Sequence, residues 1–229
     1  MFDIPVNLKA LEESIVAYEQ EPIEKGKILF YGHSLFTRWG SPKWGFRRLD
    51  EDIRAKDGSL AVVNHGFGTS CSEERLYYYD RMVRPWEPRA LVLATYGNDA
   101  MYGMSPEQSM DATVRLMAWA RTDFPGIKIY LVEPHPTPKS KYKTTLPDKW
   151  NNDKHKREKF IEMLHIYAQT HEDTKVIELW NRPEFFEEGH VGDFHYVRED
   201  IFMADQVHPN QAGYDLLAPI FREALDEVL

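Results

Sequence analysis

One cysteine, Cys71, occurs in 229 residues. An intramolecular disulfide and a multi-cysteine metal site are therefore excluded, and the chain suits a reducing compartment. No window holds the roughly 20 consecutive apolar residues that a membrane-spanning helix needs. The opening Met1-Phe2-Asp3-Ile4-Pro5 lacks the charged start, apolar run and small-residue cleavage site of a secretory signal. Basic residues are in deficit, 28 against 37 acidic for a net charge of −9, whereas a phosphate binder carries a surplus. No His-x-His or His-Glu-x-x-His spacing offers a ready set of metal ligands. These absences set the expectation of a cytoplasmic globular protein with no membrane, no nucleic acid, no metal and no organic cofactor among its partners.

What is present is apolar patterning. The sequence is 42% hydrophobic and 13% aromatic, enough to bury a sizeable core. The length suits one domain over residues 1–229, with an N-terminal helix within 1–22 packed on it. Runs 27–31, 60–64, 90–95, 127–132 and 175–179 are short and rich in β-branched or bulky apolar residues. Three are almost continuously apolar, as strands buried on both faces of a parallel sheet are. Helical spacing of apolar residues runs over 7–20, 105–123, 154–170 and 211–228. Strands alternating with helices predict an α/β fold: a three-layer α/β/α sandwich around a five-stranded parallel sheet.

One stretch departs from the acidic balance. Residues 134–159 hold eight lysines and arginines against three acidic residues, and four prolines. Its first half reads as a solvated loop at the C-terminal end of the fourth strand, the end where open α/β sheets bind ligands. A lid or a surface for anionic substrate is the functional reading of the same loop.

Four clusters follow strand ends or precede the last helix: Gly32-His33-Ser34-Leu35, Asn64 to Ser70, Tyr96-Gly97-Asn98-Asp99, and Asp205 to Asn210. On one sheet edge they would supply a hydroxyl nucleophile, main-chain donors, an amide donor and an acid–imidazole pair. Those are the needs of acyl transfer. A serine hydroxyl requires a base, and an imidazole titrating near 6.5 serves at neutral pH. His208 is that candidate base, and Asp205 is the carboxylate that would fix its tautomer. The N–H groups of Ser34 and of Gly68-Thr69, with the Asn98 amide, are candidate donors to an oxyanion.

These blocks, in this order, resemble the SGNH or GDSL-like hydrolases over about Lys27 to Phe221, with Asp205-x-x-His208-Pro209-Asn210-x-x-Gly213-Tyr214 the most specific element. The resemblance implies a flavodoxin-like sandwich and metal-independent serine esterase chemistry. It assigns the nucleophile to Ser34, the base to His208, the orienting acid to Asp205 and an oxyanion donor to Asn98. The sequence departs from the pattern at three places: His33 stands where an aspartate is usual, Thr69 where the glycine block has its second glycine, and Tyr96 where a glycine precedes the asparagine by two. The Gly-x-Ser-x-Gly elbow of α/β-hydrolases is absent, since Phe36 occupies its last position.

His33, Trp39, Tyr96 and Tyr102 are candidate substrate-binding residues by their places in these loops. Aromatic platforms suit sugars, so the expected substrate is a small-molecule or saccharide ester carrying a small acyl group, acetyl foremost. A lipase-like or thioesterase activity, and a catalytically weakened binding protein on the same fold, are the alternatives. Cys71 reads as a small buried residue.

Overall fold

The computed structural model describes residues 8–138 and 147–229. Five parallel strands form the sheet: β1 (Ile28–Gly32), β2 (Val62–Gly66), β3 (Ala90–Ala94), β4 (Lys128–Val132) and β5 (Thr174–Ile177). Their order is β2-β1-β3-β4-β5, the flavodoxin-like doubly wound arrangement. Nine α-helices are described: α1 (Leu8–Glu19), α2 (Ser34–Thr37), α3 (Leu49–Asp52), α4 (Ser72–Tyr77), α5 (Tyr79–Met82), α6 (Asn98–Met101), α7 (Pro106–Asp123), α8 (Pro147–Gln169) and α9 (Gln211–Ala224).

Strand alternation divides the core into two layers. Ile28, Phe30, Val92 and Tyr130 meet α2, α3 and α9 through Phe36, Leu49, Leu217 and Phe221. Leu29, Tyr31, Leu91, Leu93 and Leu131 meet α1, α5, α7 and α8 through Ile15, Met82, Leu116 and Leu164. Strands apolar on both faces are covered on both faces, which produces the three-layer sandwich.

The chain leaves β1 outward to β2 and then returns past it to β3, so the crevice beyond the β1 and β3 ends is the topological switch point. Close approach there depends on missing side chains. A Cβ on Gly32 would lie 2.8 Å from the Ala94 carbonyl oxygen, and one on Gly66 would collide with the Thr37 amide nitrogen.

Several boundaries differ from the sequence expectation. The second strand is shifted by two residues because Ile28 pairs with Val62, which leaves Leu60 41% exposed. The last helix ends at Ala224 rather than 228. Five short helices of four to six residues escape periodicity because none completes two turns. Residues 134–138 are buried, not a solvated loop. The Glu133 carboxylate before them accepts from the Leu179 and Trp180 amides at 2.8 Å each and pairs with His165 at 2.7 Å. Residues 139–146, where the lid reading falls, lie outside the described residues. On α8, Lys154, Arg157 and Lys159 pair with Glu158, Asp153 and Glu107.

Candidate active site

Strand β1 delivers Gly32 to the crevice, and His33 then caps α2: its Nδ1 accepts from the Leu35 amide at 3.3 Å. Ser34 is the first residue of that helix, and Leu35 and Phe36 anchor it in the core. Ser34 Oγ lies 2.8 Å from His208 Nε2. His208 Nδ1 lies 2.8 Å from Asp205 Oδ2. A hydroxyl, an imidazole and a carboxylate thus stand in one hydrogen-bonded line, an arrangement in which a proton can leave the hydroxyl for Nε2 while Nδ1–H is held by the carboxylate.

Local sequence explains how the loop achieves this. Asp205 Oδ1 accepts from the Val207 and His208 amides at 2.9 and 3.0 Å, and Gln206, between Asp205 and Val207, is in a left-handed conformation at φ 54°. Pro209 fixes the exit, and Asn210 caps α9 by accepting from the Gly213 amide at 3.1 Å while its Nδ2 donates to the Asp200 and Phe202 carbonyls. A Cβ on Gly213 would collide with the Ile201 carbonyl. The buried Tyr214 hydroxyl donates to the Leu35 carbonyl at 3.0 Å, which ties α9 to the turn that carries Ser34. Burial would raise the Asp205 carboxyl, but the two amides and the imidazole hold it down at about 2. It is a carboxylate at every pH relevant to activity.

Asn98 opens α6 directly after β3 and donates through Nδ2 to the Ser70 carbonyl at 3.0 Å. The amide has a second N–H, and this bond orients it. Gly68 faces Ser34: a Cβ there would lie 4.0 Å from Ser34 Cβ. Thr69 is exposed, sits at φ 65° and is hydrogen-bonded through its side chain to Tyr102. A left-handed threonine occupies the position where the pattern has glycine, so the loop keeps the glycine backbone shape at a steric cost of about 1–3 kcal/mol.

The floor beneath these loops rests on Asp99, whose place after β3 suits a structural acceptor for nearby backbone, and on Arg75, which sequence alone does not single out. Arg75 of α4, with its side chain 1% exposed, is paired to the fully buried Asp99 at 3.3 Å. It also donates to the Ser70 carbonyl at 2.7 Å, to the Ser70 and Ser72 hydroxyls at 3.0 Å each, and to the Thr95 carbonyl. Asp99 Oδ1 accepts from the Ser72 amide at 2.9 Å and the Ser109 hydroxyl at 3.0 Å. One guanidinium therefore joins the loop after β2 to the loop after β3. No local pattern marks Arg75, because its partner Asp99 stands 24 positions away and meets it only in the folded chain. Arg38 is the second omission; it lies one helical turn beyond Ser34 and reaches Asp205.

Of the candidate substrate contacts, the structure does not bring Trp39 or Tyr96 into the open cleft. Trp39 packs on Tyr214 and Phe221, and its indole N–H donates to Asp52 at 2.8 Å. Tyr96 is 2% exposed and stacks on Phe160 with ring centroids 4.5 Å apart. Tyr102 stays half-buried beside Thr69. His33 lies against Gly97, where a Cβ would come within 3.1 Å of its Nε2. Burial, reinforced by Arg75, His135, His208 and Arg157, drives its imidazole well below the ordinary value. A neutral ring thus fills the place of the usual carboxylate. Cys71 is buried at the start of α4, and burial pushes its thiol up to about 11.

Among the described residues, no group of three or more His, Cys, Asp or Glu side chains is arranged to hold a metal. No helix among them is long and apolar enough to cross a membrane.

The family model of GDSL-like lipases and acylhydrolases matches residues 30–216. The chain belongs to the GDSL-like lipase/acylhydrolase family. Its fold recurs in solved members at low identity. A GDSL-like lipase from Bacteroides thetaiotaomicron superposes with a TM-score of 0.66 at 17% identity, covering 97% of this chain and 98% of that one. The lipase/acylhydrolase from Enterococcus faecalis gives 0.67 at 16%, covering 88% and 96%. The psychrotrophic esterase EstA from Pseudoalteromonas sp. gives 0.59 at 14%, covering 89% and 98%. A sequence comparison with curated proteins found no match. As a GDSL-like acylhydrolase, the protein is a serine hydrolase acting on ester bonds.

Proposed function

We propose that Ser34, His208 and Asp205 are the catalytic triad of an esterase that removes small acyl groups, acetyl foremost, from a hydroxylated substrate such as a carbohydrate. The observation that carries this reading is the unbroken line from Ser34 Oγ through the imidazole to Asp205, with both links at 2.8 Å. His208 Nε2 accepts the serine proton as Oγ attacks the ester carbonyl. The negative charge on the carbonyl oxygen is met by the N–H groups of Ser34 and of Gly68-Thr69 and by the Asn98 amide. His208 then protonates the departing alcohol. Water, deprotonated by the same imidazole, releases the acid and restores Ser34.

The substrate class is inferred from the described rim. Thr69 and the half-buried Tyr102 beside it give it hydroxyl and aromatic character. Acetate release from acetylated sugars and aryl acetates tests the proposal. Ser34→Ala is expected to lose at least about 10³-fold in kcat, and equal rates for the two proteins would overturn the triad. Across aryl esters of increasing acyl length the rate is expected to fall after the shortest chains. A rise toward long chains, or preference for a thioester, would replace the small-acyl reading. Failure of a fluorophosphonate to label Ser34 in the folded protein would make it a binding protein.

A further inference from the structure

Among the described residues the Asp205 carboxylate has four donors, three of them from its own loop. Oδ1 takes the Val207 and His208 amides and Oδ2 takes His208 Nδ1. The fourth is Arg38, whose Nη1 donates to the same Oδ2 at 3.1 Å. A carboxylate offers about four lone-pair sites, so Arg38 completes the set. Its guanidinium is held in place from two further sides: Nη1 lies 3.2 Å from Met203 Sδ, and Cζ stands 5.5 Å from the centre of the Trp44 ring, which Lys43 also approaches. Arg38 caps the C-terminus of α2, the helix that Ser34 begins, so the nucleophile and the brace of the acid travel on one rigid turn.

We propose that Arg38 is a positioning residue that tunes the catalytic base through Asp205. Its charge offsets the carboxylate that would otherwise hold a proton on His208, and its hydrogen bond fixes which Asp205 oxygen faces the ring. A cation in this place disfavours the imidazolium and keeps His208 a neutral base to lower pH. Among the described residues, Asp205 on its own loop and Ser34 on α2 bond to the imidazole, and His33 before Ser34 is electrostatically coupled to it; the neutral His33 adds no opposing charge. The inference rests on the triad reading above.

The test is the pH dependence of kcat/KM on an aryl acetate. Removing the charge in Arg38→Met is expected to move the acid limb to higher pH by about half a unit, the size set by one partly exposed unit charge several ångströms away. Arg38→Lys restores the limb toward wild type. Arg38→Gln keeps a donor without the charge and is expected to shift as Met does. An acid limb that stays within 0.1 unit of wild type in both neutral variants overturns the proposal, as does Gln behaving like wild type while Met shifts. Ser34→Ala, assayed alongside, separates the two readings. If it is inactive and the Arg38 variants do not shift, the Arg38 role alone fails; if it is fully active, the triad fails first.

Discussion

Replacing Asp99 by asparagine removes the carboxylate paired with the buried Arg75 guanidinium. Both side chains are at most 1% exposed and 3.3 Å apart. At an effective dielectric constant near 20 their attraction is about 5 kcal/mol. The asparagine oxygen can still accept from the Ser72 amide and the Ser109 hydroxyl, as Oδ1 does now. Its NH₂ must then face the Arg75 donors, leaving a buried cation without its partner. Breaking such a pair costs about 3–5 kcal/mol, a large share of the roughly 5–15 kcal/mol that stabilises a domain. Urea unfolding followed by tryptophan fluorescence should show the midpoint falling by about 1–2 M at an unchanged m value. The double variant Arg75→Met with Asp99→Leu, which removes both charges, should recover part of the loss. A destabilisation of Asp99→Asn below about 1 kcal/mol, with folded protein at the start, would refute the claim that this pair fastens the two loops.

Asn98→Ala should lower kcat by about 10²–10³-fold with little change in KM, because an oxyanion donor acts in the transition state; steady-state kinetics showing less than a fivefold loss would remove the amide from the oxyanion site. His65 makes stability depend on pH. Its Nδ1–H donates to the Met82 carbonyl at 2.7 Å, and Nε2 is buried with no hydrogen-bond partner among the described residues. Burial therefore lowers its imidazole to about 4. Between about 6.5 and 4 the unfolded chain binds a proton there that the folded chain refuses, so stability falls with falling pH by up to about 3 kcal/mol. Chemical denaturation at a series of pH values should show this slope in wild type and a flatter one in His65→Gln. Equal slopes would contradict it.

The parts legible in the sequence were those whose signal is local. The apolar runs around Phe30, Val92 and Leu131 need only burial on both faces to be recognised as strands. The Asp205 to Tyr214 stretch is readable because its acid, cap, glycine and tyrosine each act within a few residues of one another, apart from the Tyr214 bond to Leu35. Arg75 and Arg38 were not legible in the same way. Their roles depend on Asp99 and on Asp205, which reach them only through tertiary structure. Trp39 and Tyr96 were drawn toward the cleft by sequence proximity, but the core claims both rings: Asp52 satisfies the Trp39 indole, and Phe160 covers Tyr96. The four-residue helices that begin at Ser34 and Asn98 are too short to show periodicity.

The bond between Ser34 and His208 joins positions 174 residues apart, and the last strand ends at Ile177. During synthesis the whole sheet, with the nucleophile at its edge, leaves the ribosome before the base does. On the triad proposed above, the incomplete chain carries a serine without its base and is expected to leave esters intact as it grows. On the same reading, turnover during refolding is expected to appear only when the loop before α9 docks, after the burial of the strands.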